Sequence, residues 1–130
     1  MKGALTVGVR AGIILAVFAI LFAILGLTPS LSWIPEIPLL TIAGLVPIAL
    51  LMVTGYRTWK SSGLIRMGVI AGATAGAVGG CMGGVAYVVF GKSAVNVVVG
   101  LIVGVAAGAA LAAVGAMVGA RRPRSPSSEN

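Results

Sequence analysis

Four long stretches of the chain contain no charged residue, and they predict four membrane-spanning helices. They cover 11–35, 37–56, 67–91 and 93–120. Each reaches about 20 residues, the length that a helix needs to cross a hydrocarbon core of about 30 Å. Because lipid offers no partner for a free backbone N–H or C=O, each spanning segment has to be helical.

We therefore predict an all-α integral membrane protein with a single four-helix domain over residues 1–120. The predicted helices are placed at about 9–28, 37–56, 64–90 and 94–120.

Glycine recurs at every fourth position in the third predicted helix, and a matching row follows in the fourth. The two rows consist of Gly68, Gly72, Gly76, Gly80 and Gly84, and of Gly100, Gly104 and Gly108 continued by Ala112. Small side chains four residues apart share one helix face and let a second helix approach closely, which stabilises helix pairs in membranes. The rows therefore predict helix-packing surfaces.

The short connection between helices 3 and 4 predicts a tight antiparallel hairpin. Folding it about Lys92 pairs Gly84 with Gly100 and Gly76 with Gly108, so the two rows coincide. The first hypothesis is a glycine zipper between helices 3 and 4 of one chain. The rival hypothesis is that each row faces another protomer.

Other small and bulky residues assign faces to the remaining helices. Gly79 and Gly83 form a second row on helix 3, and Gly115 and Gly119 lie near the end of helix 4. Each pair favours the docking of a further helix. The bulky apolar residues of helix 1, over 13–25, predict a lipid-facing helix.

Composition and charge support a membrane location and suggest an orientation. Only 8% of residues are charged, against about 25% in a soluble domain. Every Lys and Arg except Lys92 falls on one side of the predicted bundle, and basic residues accumulate on the cytoplasmic side. We predict a multi-pass protein of the cytoplasmic membrane with both termini in the cytoplasm. The basic, Ser- and Pro-rich tail, 121–130, is predicted to be disordered.

The residue inventory argues against catalysis. The chain has no His, Asp or Gln, and its two acidic residues, Glu36 and Glu129, lie in a predicted loop and in the tail. Neither an acid–base pair nor an activated nucleophile can be assembled from this set. Cys81 stands alone among glycines and is interpreted as a packing residue. We predict no enzymatic activity, no cofactor or metal, no nucleic-acid partner and no small-molecule substrate.

Transport is the principal alternative. The helix count and length resemble those of small multidrug exporters, and the glycine rows resemble those of rotary ATPase ring subunits. Both families depend on a carboxylate within the membrane, which the predicted spans lack. The small fluoride channels share the size but have a Phe- and Thr-rich broken helix that is absent here. If Thr41, Thr74 and Asn96 converge, they can line a narrow uncharged path.

These features together predict a small non-enzymatic membrane protein. Its expected role is that of an assembly or structural component, which packs against copies of itself or a larger membrane complex through its glycine surfaces. The expected partners are the lipid bilayer and the protein itself or another membrane protein. The alternative is a small passive channel or a holin-like pore former.

Overall fold

The computed structural model describes the backbone of residues 2–27 and 36–121. Side chains are described for 2–25 and 41–121. The predicted disorder of the tail beyond Arg121 lies outside the described residues.

Four helices account for nearly all of the described chain, in which there is no strand. They are α1 (Lys2–Leu27), α2 (Glu36–Ser62), α3 (Ile65–Val89) and α4 (Val95–Arg121). All four are long and apolar enough to cross a membrane. At about 1.5 Å per residue each is roughly 37–41 Å long, so each exceeds the hydrocarbon thickness. The predicted all-α architecture with four potential spans is confirmed.

Two helices extend further than the sequence predicted. α1 begins at Lys2 rather than near residue 9, and α2 continues to Ser62 rather than ending near residue 56. The prediction ended each helix at the nearest charged residue, but a charge at the surface of a helix does not interrupt its hydrogen bonds. α2 ends at Gly63, which has a φ of 70° and donates its N–H to the Trp59 carbonyl at 2.7 Å.

The α3–α4 turn is held by backbone hydrogen bonds that fix its shape. Gly91 has a φ of 80°, its N–H donates to the Val88 carbonyl at 2.9 Å, and the Lys92 N–H donates to the Tyr87 carbonyl at 3.0 Å. This is the Schellman arrangement, in which a left-handed glycine terminates a helix. It returns the chain sharply, so α4 runs antiparallel to α3.

The helices alternate in direction, and α3 occupies the centre of the bundle. α3 contacts each of the other three helices, whereas α1 contacts α2 only slightly and, over the described residues, does not contact α4. One end of the bundle carries the α3–α4 turn and is called the hairpin end. The opposite end, called the termini end, carries Lys2, Arg121 and the turn between α2 and α3.

The interior is built mainly from small residues, and most of the large apolar side chains point outward. Ala71, Ala75, Ala112 and Ala116 have no exposed surface, whereas Ile102 is 62% exposed. In a soluble domain the large apolar side chains fill the core. The reverse arrangement suits a bundle whose surroundings are lipid, where close backbone packing holds helices together.

Candidate functional site

The glycines of α3 and α4 lie against each other in the α3–α4 interface. A methyl group built on Gly76 would contact the Gly104 carbonyl and lie 3.2 Å from the Gly108 Cα atom. One built on Gly80 would contact the Gly100 carbonyl and lie 3.2 Å from the Gly104 Cα atom. Each of these glycines therefore sits between two glycines of the opposite helix, with backbone touching backbone.

The same interface continues towards both ends of the hairpin. Towards the termini end, Gly72 lies against Ala112, and a methyl group on Gly68 would approach the Ala116 Cβ atom to 3.1 Å. Towards the hairpin end, Gly84 lies against Val97. All nine residues singled out as helix-packing positions therefore belong to one interface within the chain. This is the arrangement of the first hypothesis, in which the two rows lie against each other within one chain.

A second interface of small residues joins α1 to α3, which run in parallel. A methyl group on Gly8 would lie 2.9 Å from the Thr74 Cβ atom, and one on Gly12 would lie 2.7 Å from that of Val78. One on Gly79 would approach the Leu15 Cβ atom to 2.9 Å. α1 is thus the helix that docks on the second row of α3.

The prediction that α1 is a lipid-facing helix is wrong for one of its faces. Ala4, Ala11 and Ala16 are buried, while Ile14 and Leu21 on the other side are more than half exposed. The signal was present in the sequence as Gly and Ala at positions 4, 8, 12 and 16. Bulky residues dominate the average hydrophobicity of the helix and mask this row of small residues.

α2 packs on α4 through a third set of glycines, all in the termini-end half of the bundle. A methyl group on Gly55 would lie 2.6 Å from the Ala112 Cα atom, and one on Gly115 would lie 2.9 Å from that of Met52. Gly119 makes room for the Trp59 ring, which a methyl group would approach to 2.6 Å. The second face of α4 is therefore occupied by α2.

Several Thr hydroxyl groups within the helices are satisfied by their own backbone. Thr54 Oγ1 donates to the Leu50 carbonyl at 2.7 Å and Thr58 Oγ1 to the Thr54 carbonyl at 2.8 Å. In the described part of the chain no buried side-chain nitrogen or oxygen lacks a hydrogen-bond partner. These hydroxyls therefore present little polarity to a neighbouring helix.

The three residues considered for an uncharged path are not brought together. Thr74 lies at the α1–α3 interface in the termini-end half, and its Oγ1 donates to the Ile70 carbonyl at 2.8 Å. Asn96 lies in the first turn of α4 at the hairpin end, where its Nδ2 donates to the Ser93 carbonyl at 3.0 Å. Thr41 is exposed on α2. None of the three lines the cavity described next.

A cavity of about 590 Å³ occupies the hairpin-end half of the bundle. All four helices and the α3–α4 turn contribute to its wall, which is mainly apolar. The lining residues are Leu15, Phe18, Ala19, Phe22, Ala23, Ala43, Pro47, Leu51, Gly76, Gly79, Gly80, Gly83, Tyr87, Phe90, Lys92, Gly104 and Ala107.

The cavity exists because α2 is packed along only half of its length. From Thr41 to Ala49 only Ala43 and Pro47 are even partly buried, whereas Leu51, Thr54 and Thr58 are buried further along. α2 therefore adheres to the bundle at the termini end and stands away from α1 at the hairpin end. The lining of the cavity ends near the middle of the bundle, at Leu51 on α2 and Gly76 on α3.

The described residues offer little chemistry beyond packing. They hold no group of His, Cys, Asp and Glu side chains that could bind a metal ion. Cys81 is a free, half-buried thiol on α3. Comparison of the chain with protein-family models, with curated proteins and with solved structures finds no match.

Proposed function

We propose that the chain is a small non-enzymatic integral membrane protein that acts as an assembly component by packing against a second copy of itself. The observation that carries this proposal is an unused packing position on α2. Among the helical glycines whose surroundings are described, only Gly3 and Gly44 have no atom of another helix within 4 Å.

Gly44 differs from Gly3 because it is the ninth residue of α2, two turns inside the helix, whereas Gly3 is the second residue of α1. A glycine inside a helix costs about 1 kcal/mol relative to alanine in water, and elsewhere in this chain the glycines accommodate a neighbouring helix. Its neighbours on α2, Leu45 and Ile48, are 59% and 41% exposed. A second α2 seated there would pack closely at Gly44, as small residues allow in membranes.

The proposed location is the cytoplasmic membrane, with the termini end in the cytoplasm. Of the described basic residues, only Lys92 belongs to the hairpin end, and the others belong to the opposite half of the bundle. Those others are Lys2, Arg10, Arg57, Lys60, Arg66 and Arg121. Such an excess of Lys and Arg favours the cytoplasmic side.

The oligomeric state after gentle detergent extraction tests the proposal. We expect the wild-type chain to have the native mass of a dimer, or to retain another membrane protein in stoichiometric amount. Gly44→Leu should lower the associated fraction at least tenfold without unfolding the monomer, because a Cβ atom at this position meets no described atom within 4 Å. Gly3→Leu is the matched control and should associate like the wild type. A monomeric wild-type chain, or equal association of both variants, would contradict the proposal.

Ion flux separates the proposal from the passive-channel alternative. Purified protein in liposomes should give no current, because the lining of the cavity ends midway and several Thr hydroxyls donate to their own helix carbonyls. A conductance that rises with the protein-to-lipid ratio would replace the assembly proposal with a pore.

A further inference from the structure

We propose that the hairpin-end cavity is a binding site for one acyl chain of an anionic phospholipid, whose headgroup is held by Lys92. This goes beyond a role in assembly, because α2 contributes Ala43, Pro47 and Leu51 to the cavity wall and Gly44 is not among the lining residues. The occupant comes from the membrane leaflet at the hairpin end.

The dimensions of the cavity fit a single lipid chain. Its lining on α3 extends from Gly76 to Tyr87, and Phe90 and Lys92 follow in the turn. At 1.5 Å per residue the stretch from Gly76 to Tyr87 is about 17 Å long, comparable to the roughly 15 Å of one leaflet in a hydrocarbon core about 30 Å thick. The volume of about 590 Å³ lies within the range of about 300–1,000 Å³ common to small-molecule sites.

The wall of the cavity is chemically suited to a hydrocarbon chain. Glycines of α3 and α4 form one side, where the absence of side chains creates the space. Phe18 and Phe22 of α1 stack on each other with ring centroids 4.5 Å apart, and together they form the opposite side. On α2, Ala43 and Pro47 face the same space. An acyl chain that enters here fills the space and makes dispersion contacts with the wall.

The polar groups of the site stand together at its hairpin end, where a headgroup would lie. Lys92 is the only described basic residue at that end, and its backbone is fixed by the hydrogen bond to the Tyr87 carbonyl. Within the described residues, neither the Lys92 ammonium nor the Tyr87 hydroxyl has a side-chain partner. An apolar cavity with a cation at its end is complementary to a lipid whose acyl chain is joined to a phosphate headgroup. The positive charge favours an anionic lipid over a zwitterionic one.

Native mass spectrometry of protein released from membranes of defined composition tests the site. The membranes contain phosphatidylglycerol and phosphatidylcholine in equal amounts with identical acyl chains. We expect the wild-type protein to retain one phospholipid per chain, with phosphatidylglycerol favoured about fivefold, the preference that one basic residue near the surface provides.

Two pairs of variants separate the acyl site from the headgroup site. Ala43→Phe fills the cavity and should reduce lipid retention at least fivefold, whereas Ala49→Phe, on an exposed position of the same helix, should retain lipid normally. Lys92→Gln should retain lipid but lose the preference for phosphatidylglycerol, whereas Lys60→Gln at the termini end should keep it.

Two single variants separate lipid binding from self-association and from the charge at the start of α2. Gly44→Leu should keep the bound lipid even if it abolishes association, so failure of the assembly proposal leaves this one testable. Glu36→Gln removes the acidic residue at the start of α2 and should not weaken lipid retention.

Equal retention by the two Phe variants, or a preference for phosphatidylglycerol that survives Lys92→Gln, would overturn the proposal. Lys92→Gln is a surface change and does not depend on the tolerance of the core.

Discussion

At the scale of single residues, glycine has two different uses in this chain. Gly76 and Gly80 permit the backbones of α3 and α4 to touch, since an added methyl group would meet a carbonyl of the opposite helix. At Gly44, by contrast, an added methyl group would meet no described atom of another helix within 4 Å. The same residue type in the same kind of helix therefore has opposite expected responses to substitution.

Gly76→Ala should destabilise the folded monomer by about 1–3 kcal/mol, the usual cost of overpacking a filled interior. Gly44→Ala should be neutral or stabilise it by up to about 1 kcal/mol, since alanine is the better helix former. The free energy of unfolding in mixed micelles of mild detergent and dodecyl sulfate measures both changes. Equal effects at the two positions would show that the α3–α4 interface does not form as described.

The residue patterns were readable from the sequence only in part. The rows from Gly68 to Gly84 and from Gly100 to Gly108 were apparent because the spacing is regular and nothing bulky interrupts it. The contacts of Gly8 and Gly12 are harder to predict, because the large apolar residues around them make the whole helix resemble a lipid-facing one. The contact between Gly119 and Trp59 could not be inferred, since it depends on how a large ring settles against a gap on another helix.

At the scale of the elements, α2 is one continuous helix whose two halves differ in how tightly they pack against the bundle. Its termini-end half packs on α4 through Gly55 and buries Leu51 and Thr54, whereas Leu45 in the other half is 59% exposed. Because α2 contacts its neighbours along only half of its length, a wedge-shaped space remains beside the other half. The cavity is this space, which we call the wedge.

Replacing single leucines of α2 by alanine should cost more stability in the packed half than in the exposed half. Leu51→Ala removes a side chain that is only 6% exposed and should cost about 2 kcal/mol, the lower limit for a buried leucine, because lipid tails partly fill the gap. Leu45→Ala should cost less than about 0.5 kcal/mol, as expected for a position outside the core. The same micelle titration measures both losses of stability, and a greater loss at Leu45 than at Leu51 would reverse the assignment of packed and unpacked halves.

The existence of the helices could be predicted from the sequence, but their ends and the wedge could not. Charge-free runs of sufficient length fix the number of spans because lipid excludes charge and free backbone groups alike. Helix ends depend instead on local hydrogen bonds, such as those of Gly63 and Gly91. The wedge depends on the angle at which α2 leans, and no short sequence pattern encodes that angle.

At the scale of the whole molecule, alternating helix direction gathers charge at one end. α1 and α3 begin, and α2 and α4 end, on the same side, so the basic residues near these points collect there. Lys92 remains at the hairpin end, beside the cavity. The distribution of charge therefore supports both the proposed orientation in the membrane and the proposed site of lipid contact.

Single cysteines report the orientation in intact cells. With Cys81→Ala as background, Lys92→Cys should react with a membrane-impermeant maleimide added from outside, because the hairpin end is expected to face outward. Arg121→Cys should react only after the membrane is permeabilised. The opposite labelling pattern would invert the proposed topology while leaving the fold unchanged.

A disulfide between α3 and α4 within one chain probes the close contact of these helices most directly. In a Cys81→Ala background, Gly68→Cys and Ala116→Cys place two Cβ atoms about 3.1 Å apart, close to the roughly 3.8 Å of a relaxed disulfide. Gly68→Cys with Val118→Cys is the control, since Val118 is 45% exposed. We expect rapid oxidation of the first pair at monomer mass, independent of dilution, and little oxidation of the second. Cross-linking of the first pair only between chains, or no more readily than the control, would contradict an α3–α4 interface within the chain.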